Sequence, residues 1–211
     1  MFNKKILFKR IAPALLITAL VISFIFYKTE NNHQSNVNSY NFTLNDTNGD
    51  RFSRNALIGK PSIVFFGFLN CPDVCPSSLQ LLSNLIEDLG SSADKVNFYF
   101  VTVDPDRDQL NLIKDFLSSF HKNIIGVSGP KDELNKLYSA FNIYAKKVKL
   151  NTEQYTIDHT AALMILNKQG QKVGELLHED FSKFVVLDNY GKIQSPKEKV
   201  SENLKQLIKI R

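Results

Sequence analysis

The chain of 211 residues contains only two cysteines, Cys71 and Cys75, and both lie in the segment FLNCPDVCPSSL. A proline follows each of them. Two thiols on one short segment can close a disulfide, exchange disulfides with a partner, or bind one soft metal ion as thiolates. We therefore expect the chemistry of this chain at this segment.

The prolines predict how the cysteine segment folds. Inside a helix Pro76 would lack a hydrogen bond and clash with the preceding turn, but proline is favoured as the first helical residue. The pattern predicts a tight turn over residues 71–74 and a helix that begins at Pro76, with Cys75 as its N-cap. The positive end of the helix dipole would then lower the pKa of Cys75 and favour its thiolate.

The spacing alone leaves three uses of the pair open. A disulfide across this short loop would stabilise the fold by only about 2 kcal/mol, and structural disulfides usually join distant segments. A redox dithiol usually has two residues between its cysteines rather than the three found here, although a position between a strand and a helix suits one. A metal site would use both thiolates for Cu(I) or zinc, and zinc would need further ligands.

A third ligand has to come from the four histidines of the chain. His33 lies in a polar segment, and His121 and His178 lie in polar stretches typical of exposed residues. His159 differs because it directly precedes the apolar run TAALMIL, in a loop that feeds a predicted central strand. Such a loop can reach the end of the sheet where the cysteines are expected. The pattern is compatible with a packing histidine and with a metal ligand.

Alternating strand and helix patterns surround these residues. Asn48 and Gly49 predict a hairpin turn, and SIVFFGF predicts a buried central strand before the cysteines. Apolar residues then recur at helical spacing up to Gly90, a predicted helix end. Further strands are predicted in KVNFYFVTVD, NIIGVSG and TAALMILNKQGQKVGEL, helices in DQLNLIKDFLSSF and PKDELNKLYSAF, and a last hairpin and helix in KFVVLDNYGKIQ and SPKEKVSENLKQLIKI. The order predicts an α/β fold with a mixed central sheet flanked by helices.

The N-terminal segment predicts a membrane anchor. Residues 11–27 carry no charge and would span roughly 25 Å as a helix, near the thickness of a bilayer core. Four basic residues lie within residues 1–10, which the positive-inside rule leaves in the cytoplasm. No small-residue cleavage site follows the apolar run, which favours an uncleaved transmembrane helix over a signal peptide.

The remaining sequence predicts a tether and a soluble domain. Residues 28–39 are polar and aperiodic, typical of a flexible tether, and residues 40–211 form the predicted domain. The chain has 26 basic and 21 acidic residues, a net charge of +5. Five basic and no acidic residues fall within residues 1–28, so the rest of the chain is neutral. With no basic stripe interleaved with aromatics, we expect no nucleic-acid partner.

Three motifs in one order resemble the Sco/SenC family: FFGFLNCPDVCPSSL, VTVDPDRDQ and IDHTAAL. Members of that family are membrane-tethered, thioredoxin-like copper-binding proteins that assist assembly of cytochrome c oxidase. The resemblance covers about residues 40–166 and is specific only when the motifs are taken together. It implies that Cys71, Cys75 and His159 bind copper, and it assigns no ligand in DPDRD, residues 104–108. The polar residue that the family commonly has shortly before the first cysteine is replaced here by the sequence FLN.

The resemblance also implies a function, and the N-terminal segment adds an expected location. The chain would deliver or prepare copper, as Cu(I) or Cu(II), for the dinuclear copper centre of an oxidase subunit. Its partners would be that subunit and a copper donor protein or thiol reductant. We expect it in the bacterial inner membrane with its domain in the periplasm; the mitochondrial inner membrane is the alternative.

A second function uses the same cysteines. A thiol–disulfide reductase could keep the copper-binding cysteines of the oxidase reduced, with Cys71 and Cys75 as its catalytic pair. His159 is required only for copper binding, where Asp158 or a backbone carbonyl would orient it. The chain would be an enzyme only in the reductase case. A tethered adaptor without metal or redox chemistry would leave the placement of the cysteines unexplained.

Overall fold

The structure of the chain is a computed structural model that describes residues 18, 20–24, 41–151 and 154–177, and the backbone of residues 186–187 and 193–194. The chain divides into two units, Met1–Gln34 and Ser35–Arg211. In the first unit the described residues are helical, with exposed Leu20, Val21, Ile22 and Phe24. None of the helices among the described residues has the length and apolar character needed to cross a membrane. Most of the predicted anchor, and the predicted cytoplasmic end and tether, lie outside the described residues.

In its described residues the second unit contains strands and three α-helices. The described strands are β1 (Thr43–Asp46), β2 (Arg51–Ser53), β3 (Ser62–Gly67), β4 (Asn97–Thr102), β5 (Ile124–Ser128), β6 (Ala145–Lys149), β7 (Tyr155–His159), β8 (Ala162–Leu166), β9 (Lys172–Leu177), β10 (Val186–Leu187) and β11 (Ile193–Gln194). The helices of this unit in the described residues are α1 (Val74–Leu89), α2 (Leu110–Leu117) and α3 (Lys131–Phe141). These elements confirm the predicted alternation of strands and helices.

Seven of the described strands form one mixed sheet in the order β2-β1-β5-β4-β3-β8-β9. Strands β3, β4 and β5 are parallel, and the helices α1 and α2 lie in the connections between them. Such crossovers are what parallel neighbours require. The edges are antiparallel: β1 pairs with β5, and β8 pairs with β3 and β9. The predicted mixed α/β architecture is confirmed.

The core lies on both faces of β3, whose six residues are all buried. Phe65 and Phe66 are each 0% exposed. The ring centroid of Phe65 lies 6.0 Å from that of Phe100 on β4, whereas the ring of Phe66 lies 6.1 Å from that of Tyr138 on α3. Adjacent side chains on a strand point to opposite faces, so β3 holds two apolar layers together.

The predicted turns also occur where the sequence places them. The hairpin β1–β2 turns through Gly49, with φ 90°, and β8–β9 turns through Gly170, with φ 72°. Glycine takes these positive φ values without the steric cost that other residues have. Strands β10 and β11 confirm the last predicted hairpin, and the predicted closing helix lies outside the described residues.

The hairpin β6–β7 was not predicted from the sequence. Its two strands pair antiparallel and form a sheet of their own. All five residues of β6 are exposed, so the strand lacks the alternation of apolar and polar residues that marks a half-buried strand. His159 is the last residue of β7; the interpretation that placed it in a loop was wrong.

Candidate metal centre

The topology brings the cysteine loop and His159 to one end of the sheet. Strand β8 runs antiparallel to β3, with Phe65 opposite Leu163 and Ser62 opposite Leu166. The carboxyl end of β3 therefore lies beside the amino end of β8. The cysteines follow the first of these ends, and His159 precedes the second.

The turn after β3 differs from the prediction. Helix α1 begins at Val74 with Asp73 as N-cap, so Cys75 is the second helical residue and not the cap. Pro76 lies within the first turn, where backbone N–H groups have no partner inside the helix. The missing N–H of proline therefore costs the helix no hydrogen bond there. The first helical hydrogen bond runs from the Ser77 N–H to the Asp73 carbonyl, at 3.2 Å. The helix can therefore begin two residues earlier than the proline rule suggested.

The two cysteines are free thiols in contact with each other. The backbone N–H of Cys75 donates to Cys71 Sγ over 3.4 Å. Cys75 is 0% exposed, whereas Cys71 is half-buried. The pair therefore presents one accessible sulfur, with the second behind it.

The two thiols have opposite pKa shifts. The hydrogen bond from the Cys75 thiol lowers the pKa of Cys71 well below its ordinary value, the backbone at Cys75 and Asp73 lowers it further, and burial opposes this shift. The same thiol–thiolate bond raises the pKa of Cys75, and burial raises it further. The prediction that Cys75 is the thiolate was therefore wrong. Burial and the neighbouring thiolate outweigh the helix N-terminus, and the first ionised sulfur is Cys71.

His159 faces the buried cysteine. Its Nε2 atom lies 3.7 Å from Cys75 Sγ, and its Nδ1 atom lies 3.0 Å from the Thr160 carbonyl oxygen. Because a carbonyl only accepts, Nδ1 carries a proton, and in the neutral imidazole Nε2 has its lone pair free toward the sulfur. Of the two orienting groups expected from the sequence, the backbone carbonyl is the one in contact, and Asp158 is exposed.

Two residues that the sequence interpretation did not select shape this site. A Cβ atom on Gly67 would lie 3.1 Å from Cys75 Sγ and 2.9 Å from the Phe100 ring, so the close approach of the thiol to β3 requires glycine. The Phe68 ring packs edge-on against His159, with centroids 5.5 Å apart at an interplanar angle of 85°. Their position next to the cysteine motif is the only sequence signal of either role.

The other histidines do not join the site among the described residues. His121 lies in the turn before β5, where its Nδ1 atom accepts the Asn123 N–H at 3.1 Å. Its role is therefore in a local turn. His33 and His178 lie outside the described residues.

The donor set fits one soft ion. An ion held at about 2.0–2.3 Å from each ligand could lie between a nitrogen and a sulfur that are 3.7 Å apart, as Nε2 and Cys75 Sγ are. The Cys71 side chain interacts with both Cys75 and His159. Within the described ranges no trio of His, Cys, Asp or Glu side chains is already gathered as a finished metal site. Binding an ion would therefore draw the three groups closer and displace the protons between them.

This arrangement defines a mixed α/β protein of thioredoxin-like architecture in which a dithiol loop faces an imidazole. The SCO1/SenC family model matches residues 30–190, and the chain belongs to this family. The match covers the cysteine loop, residues 104–108 and His159, so the resemblance read from three motifs is confirmed.

Similar proteins occur in bacteria and mitochondria. A SCO2-like protein of Rickettsia prowazekii is 32% identical over 132 residues, 62% of this chain and 64% of that protein. The mitochondrial protein SCO2 of Saccharomyces cerevisiae is 35% identical over 139 residues, 64% of this chain and 46% of that protein. The match thus spans less than two thirds of the length of either relative. The structure of Bradyrhizobium japonicum ScoI with copper bound is 36% identical, has a TM-score of 0.68, and is matched over 79% of this chain and 97% of that chain.

Proposed function

We propose that this chain binds copper through Cys71, Cys75 and His159, and delivers or prepares it for the dinuclear copper centre of cytochrome c oxidase during assembly. The observation that carries the proposal is the meeting of His159 Nε2 with Cys75 Sγ, 3.7 Å apart although 84 positions separate the residues in the sequence. A dithiol needs no imidazole to exchange disulfides, but a soft ion gains a third ligand from it. The copper-bound ScoI structure, at 36% identity, supports copper as that ion.

The geometry suits an ion that is held and then passed on. Two thiolates and a neutral imidazole match the preference of Cu(I) for soft ligands. Half-buried Cys71 leaves one side of the site accessible, where a partner could exchange ligands. Oxidation of the two thiols to a disulfide would remove both thiolates, so copper loading would depend on the redox state of the pair. The proposed partners are the copper-bearing oxidase subunit and a copper donor protein or thiol reductant.

The proposed location is the bacterial inner membrane. Residues 11–27 would anchor the chain, residues 28–39 would tether it, and the domain from residue 40 would lie in the periplasm. The support is the distribution of charge: five basic and no acidic residues within residues 1–28.

A thiol–disulfide reductase is the second candidate, and one observation favours it. Cys71 is accessible and has a lowered pKa, while Cys75 is buried behind it with a raised pKa. An exposed thiolate that attacks a disulfide, followed by a buried thiol that resolves the mixed disulfide, needs this asymmetry. His159 separates the two functions because only copper binding needs its lone pair.

Cu(I) titration of the purified, reduced full-length chain tests the proposal. We expect one Cu(I) bound per two thiols, and loss of that binding after the thiols are oxidised to the disulfide. Binding that persists in the oxidised chain would contradict the proposed ligands. In cells from which this protein has been removed, the wild-type chain should restore maturation of the oxidase, whereas a chain with both Cys71→Ser and Cys75→Ser should not.

A further inference from the structure

Residues 104–108, the DPDRD motif, contact both halves of the candidate metal centre without supplying a ligand to it. We propose that this segment is a brace that holds the cysteine loop and the strand ending at His159 in register with each other. As far as copper affinity is concerned, the inference rests on the proposed function. The residues that carry it are Asp108 on the cysteine side, and Asp104, Arg107 and Tyr155 on the histidine side.

Asp108 holds the cysteine side. Its side chain is buried, with the residue 1% exposed, and its Oδ2 atom accepts the backbone N–H of Leu69 at 3.2 Å and the Thr102 hydroxyl at 2.6 Å. Leu69 is followed two residues later by Cys71, whose own N–H donates to the Phe68 carbonyl at 3.3 Å. Asp108 therefore fixes the backbone from which the cysteine turn starts.

Asp104 and Arg107 hold the histidine side through Tyr155, the first residue of β7. The Tyr155 hydroxyl donates to Asp104 Oδ1 at 2.9 Å, and Arg107 Nη1 donates to the Tyr155 carbonyl at 3.2 Å. The Arg107 guanidinium also lies 3.8 Å from the centroid of the Tyr155 ring, a cation–π contact, and its Nε–H donates to Asp104 Oδ2. Tyr155 is thereby held by its hydroxyl, its ring and its backbone.

The histidine strand needs such a support because, among the described strands, β7 pairs only with β6. Hairpin β6–β7 forms a two-stranded sheet separate from the seven-stranded sheet that carries the cysteine loop. Isolated two-stranded hairpins are marginally stable in water. Near His159, the described hydrogen bonds from Thr160 N–H to the Tyr144 carbonyl and from Tyr144 N–H to Thr160 Oγ1 close the base of the hairpin. The contacts of Tyr155 with the brace fix the far end of β7.

The brace is itself anchored on the end of β4. The N–H groups of Arg107 and Asp108 both donate to the Asp104 carbonyl, at 3.1 and 2.9 Å, which closes the segment into a tight turn. The Asp104 N–H donates to Thr102 Oγ1 at 2.9 Å. A movement of the cysteine loop and a movement of β7 would therefore both act on one short turn. Burial raises the pKa of Asp108 to about 6, because the ionised carboxylate is less stable inside the protein than in water.

A double-mutant cycle on the full-length chain tests the histidine side. Tyr155→Ala removes the ring and hydroxyl contacts, and Tyr155 is only partly buried, so the fold should tolerate the change. If Tyr155 acts by positioning His159, Tyr155→Ala should weaken Cu(I) binding about 10–100-fold, the range seen when a partner that orients a ligand is lost. In a His159→Ala background the same change should alter the affinity by no more than about twofold, because its target is absent. A merely structural effect would persist in both backgrounds.

The cysteine side should give the opposite pattern. Asp108→Ala removes the acceptor of the Leu69 N–H, so it should weaken Cu(I) binding with and without His159. Asp108→Asn keeps an acceptor oxygen at that position and should restore most of the affinity.

Tyr99→Phe is the control for the tyrosine variant, because it removes a hydroxyl that donates to the Ala56 carbonyl at 3.2 Å, away from the site. It should leave Cu(I) affinity unchanged.

A metal-free measurement separates this inference from the proposed function. Amide hydrogen exchange of residues 155–159 in the reduced, metal-free chain should become faster in Tyr155→Ala and stay the same in Tyr99→Phe. If the wild-type chain does not bind Cu(I), or if the His159→Ala chain binds it equally well, the proposed function fails. The amide hydrogen exchange of residues 155–159 then tests the brace by itself. If the amides of residues 155–159 exchange in the Tyr155→Ala chain at the same rate as in the wild type, the proposed brace is overturned. Equal losses of Cu(I) affinity in both backgrounds would also overturn it.

Discussion

The imidazole of His159 points its Nε2 atom at Cys75 Sγ across 3.7 Å, while its Nδ1 atom lies 3.0 Å from the neighbouring Thr160 carbonyl oxygen. The carbonyl fixes the tautomer, and the tautomer directs a lone pair toward the more deeply buried of the two sulfurs. This relationship favours a metal site over a plain dithiol, and the first prediction rests on it.

His159→Ala should weaken Cu(I) binding more than the 10–100-fold typical of losing a partner outside the ligand shell, because the change removes a proposed ligand itself. Both thiols remain, so thiol–disulfide exchange should survive. Competitive Cu(I) titration against a chelator measures the first effect, with melting curves to show that the variant is folded. His121→Ala, a histidine in a turn outside the site, is the control and should bind like the wild type. Equal affinity in a folded His159→Ala chain would favour the reductase function.

The Cu(I) affinity should rise with pH between roughly pH 7 and pH 9, by about tenfold per pH unit. The pKa of Cys71 is lowered, so this sulfur is already ionised, and the pKa of Cys75 is raised, so this sulfur still carries its proton. Binding therefore releases one proton, from Cys75, and a higher pH favours it. Competition titrations across this range, corrected for the protonation of the chelator, give the slope. If the dependence of Cu(I) affinity on pH corresponds to two released protons, Cys71 is also protonated in the free chain.

Gly67→Ala should displace Cys75 and loosen the site. The added methyl would lie 2.9 Å from the Phe100 ring and 3.1 Å from Cys75 Sγ, an overpacking of the kind that costs about 1–3 kcal/mol. We expect a lower melting temperature together with weaker Cu(I) binding. Gly174→Ala is the matched control, because a Cβ there meets its nearest neighbour, Ile165, at 3.6 Å. A Gly67→Ala chain with wild-type affinity would show that the thiol has room to move.

Phe65→Ala and Phe66→Ala should each lower the free energy of unfolding by about 3–5 kcal/mol. Each ring is fully buried, on opposite faces of β3, so each change leaves a cavity in a different layer of the core. Denaturant unfolding measures the loss. Leu112→Ala, at a leucine that is 44% exposed, should change stability little. An unchanged free energy of unfolding in either Phe variant would contradict the central position of β3.

A reporter that is active only after export, fused to the C-terminus, should be active. The reason is the cluster of basic residues before the apolar run at residues 11–27, which the positive-inside rule predicts to stay in the cytoplasm. A second reporter, active only in the cytoplasm, serves as the control and should be silent. Activity of the cytoplasmic reporter alone would reverse the proposed topology.

Short-range patterns in the sequence were sufficient for most of the elements. The apolar run before Cys71 predicted a buried central strand because only a strand covered on both faces is apolar throughout. Helical spacing after Cys75 predicted α1, and Asn48 and Gly49 predicted the turn between β1 and β2. Each of these signals depends on neighbours in the chain, so no knowledge of the fold was needed. The motifs around Cys71, Cys75 and His159 similarly predicted the family.

The sequence by itself supplied the candidate ligands: it holds only two cysteines, and the resemblance of its three motifs to the Sco/SenC family implied Cys71, Cys75 and His159. Tertiary structure decided how they act. It placed the helix start at Val74. The hydrogen bond between the two sulfurs and the burial of Cys75 together made Cys71 the low-pKa sulfur. Tertiary structure also formed the β6–β7 hairpin and joined both sides of the site through Asp108 and Tyr155. Burial and hydrogen bonds between distant segments set these features, and neither has a periodic signature along a chain.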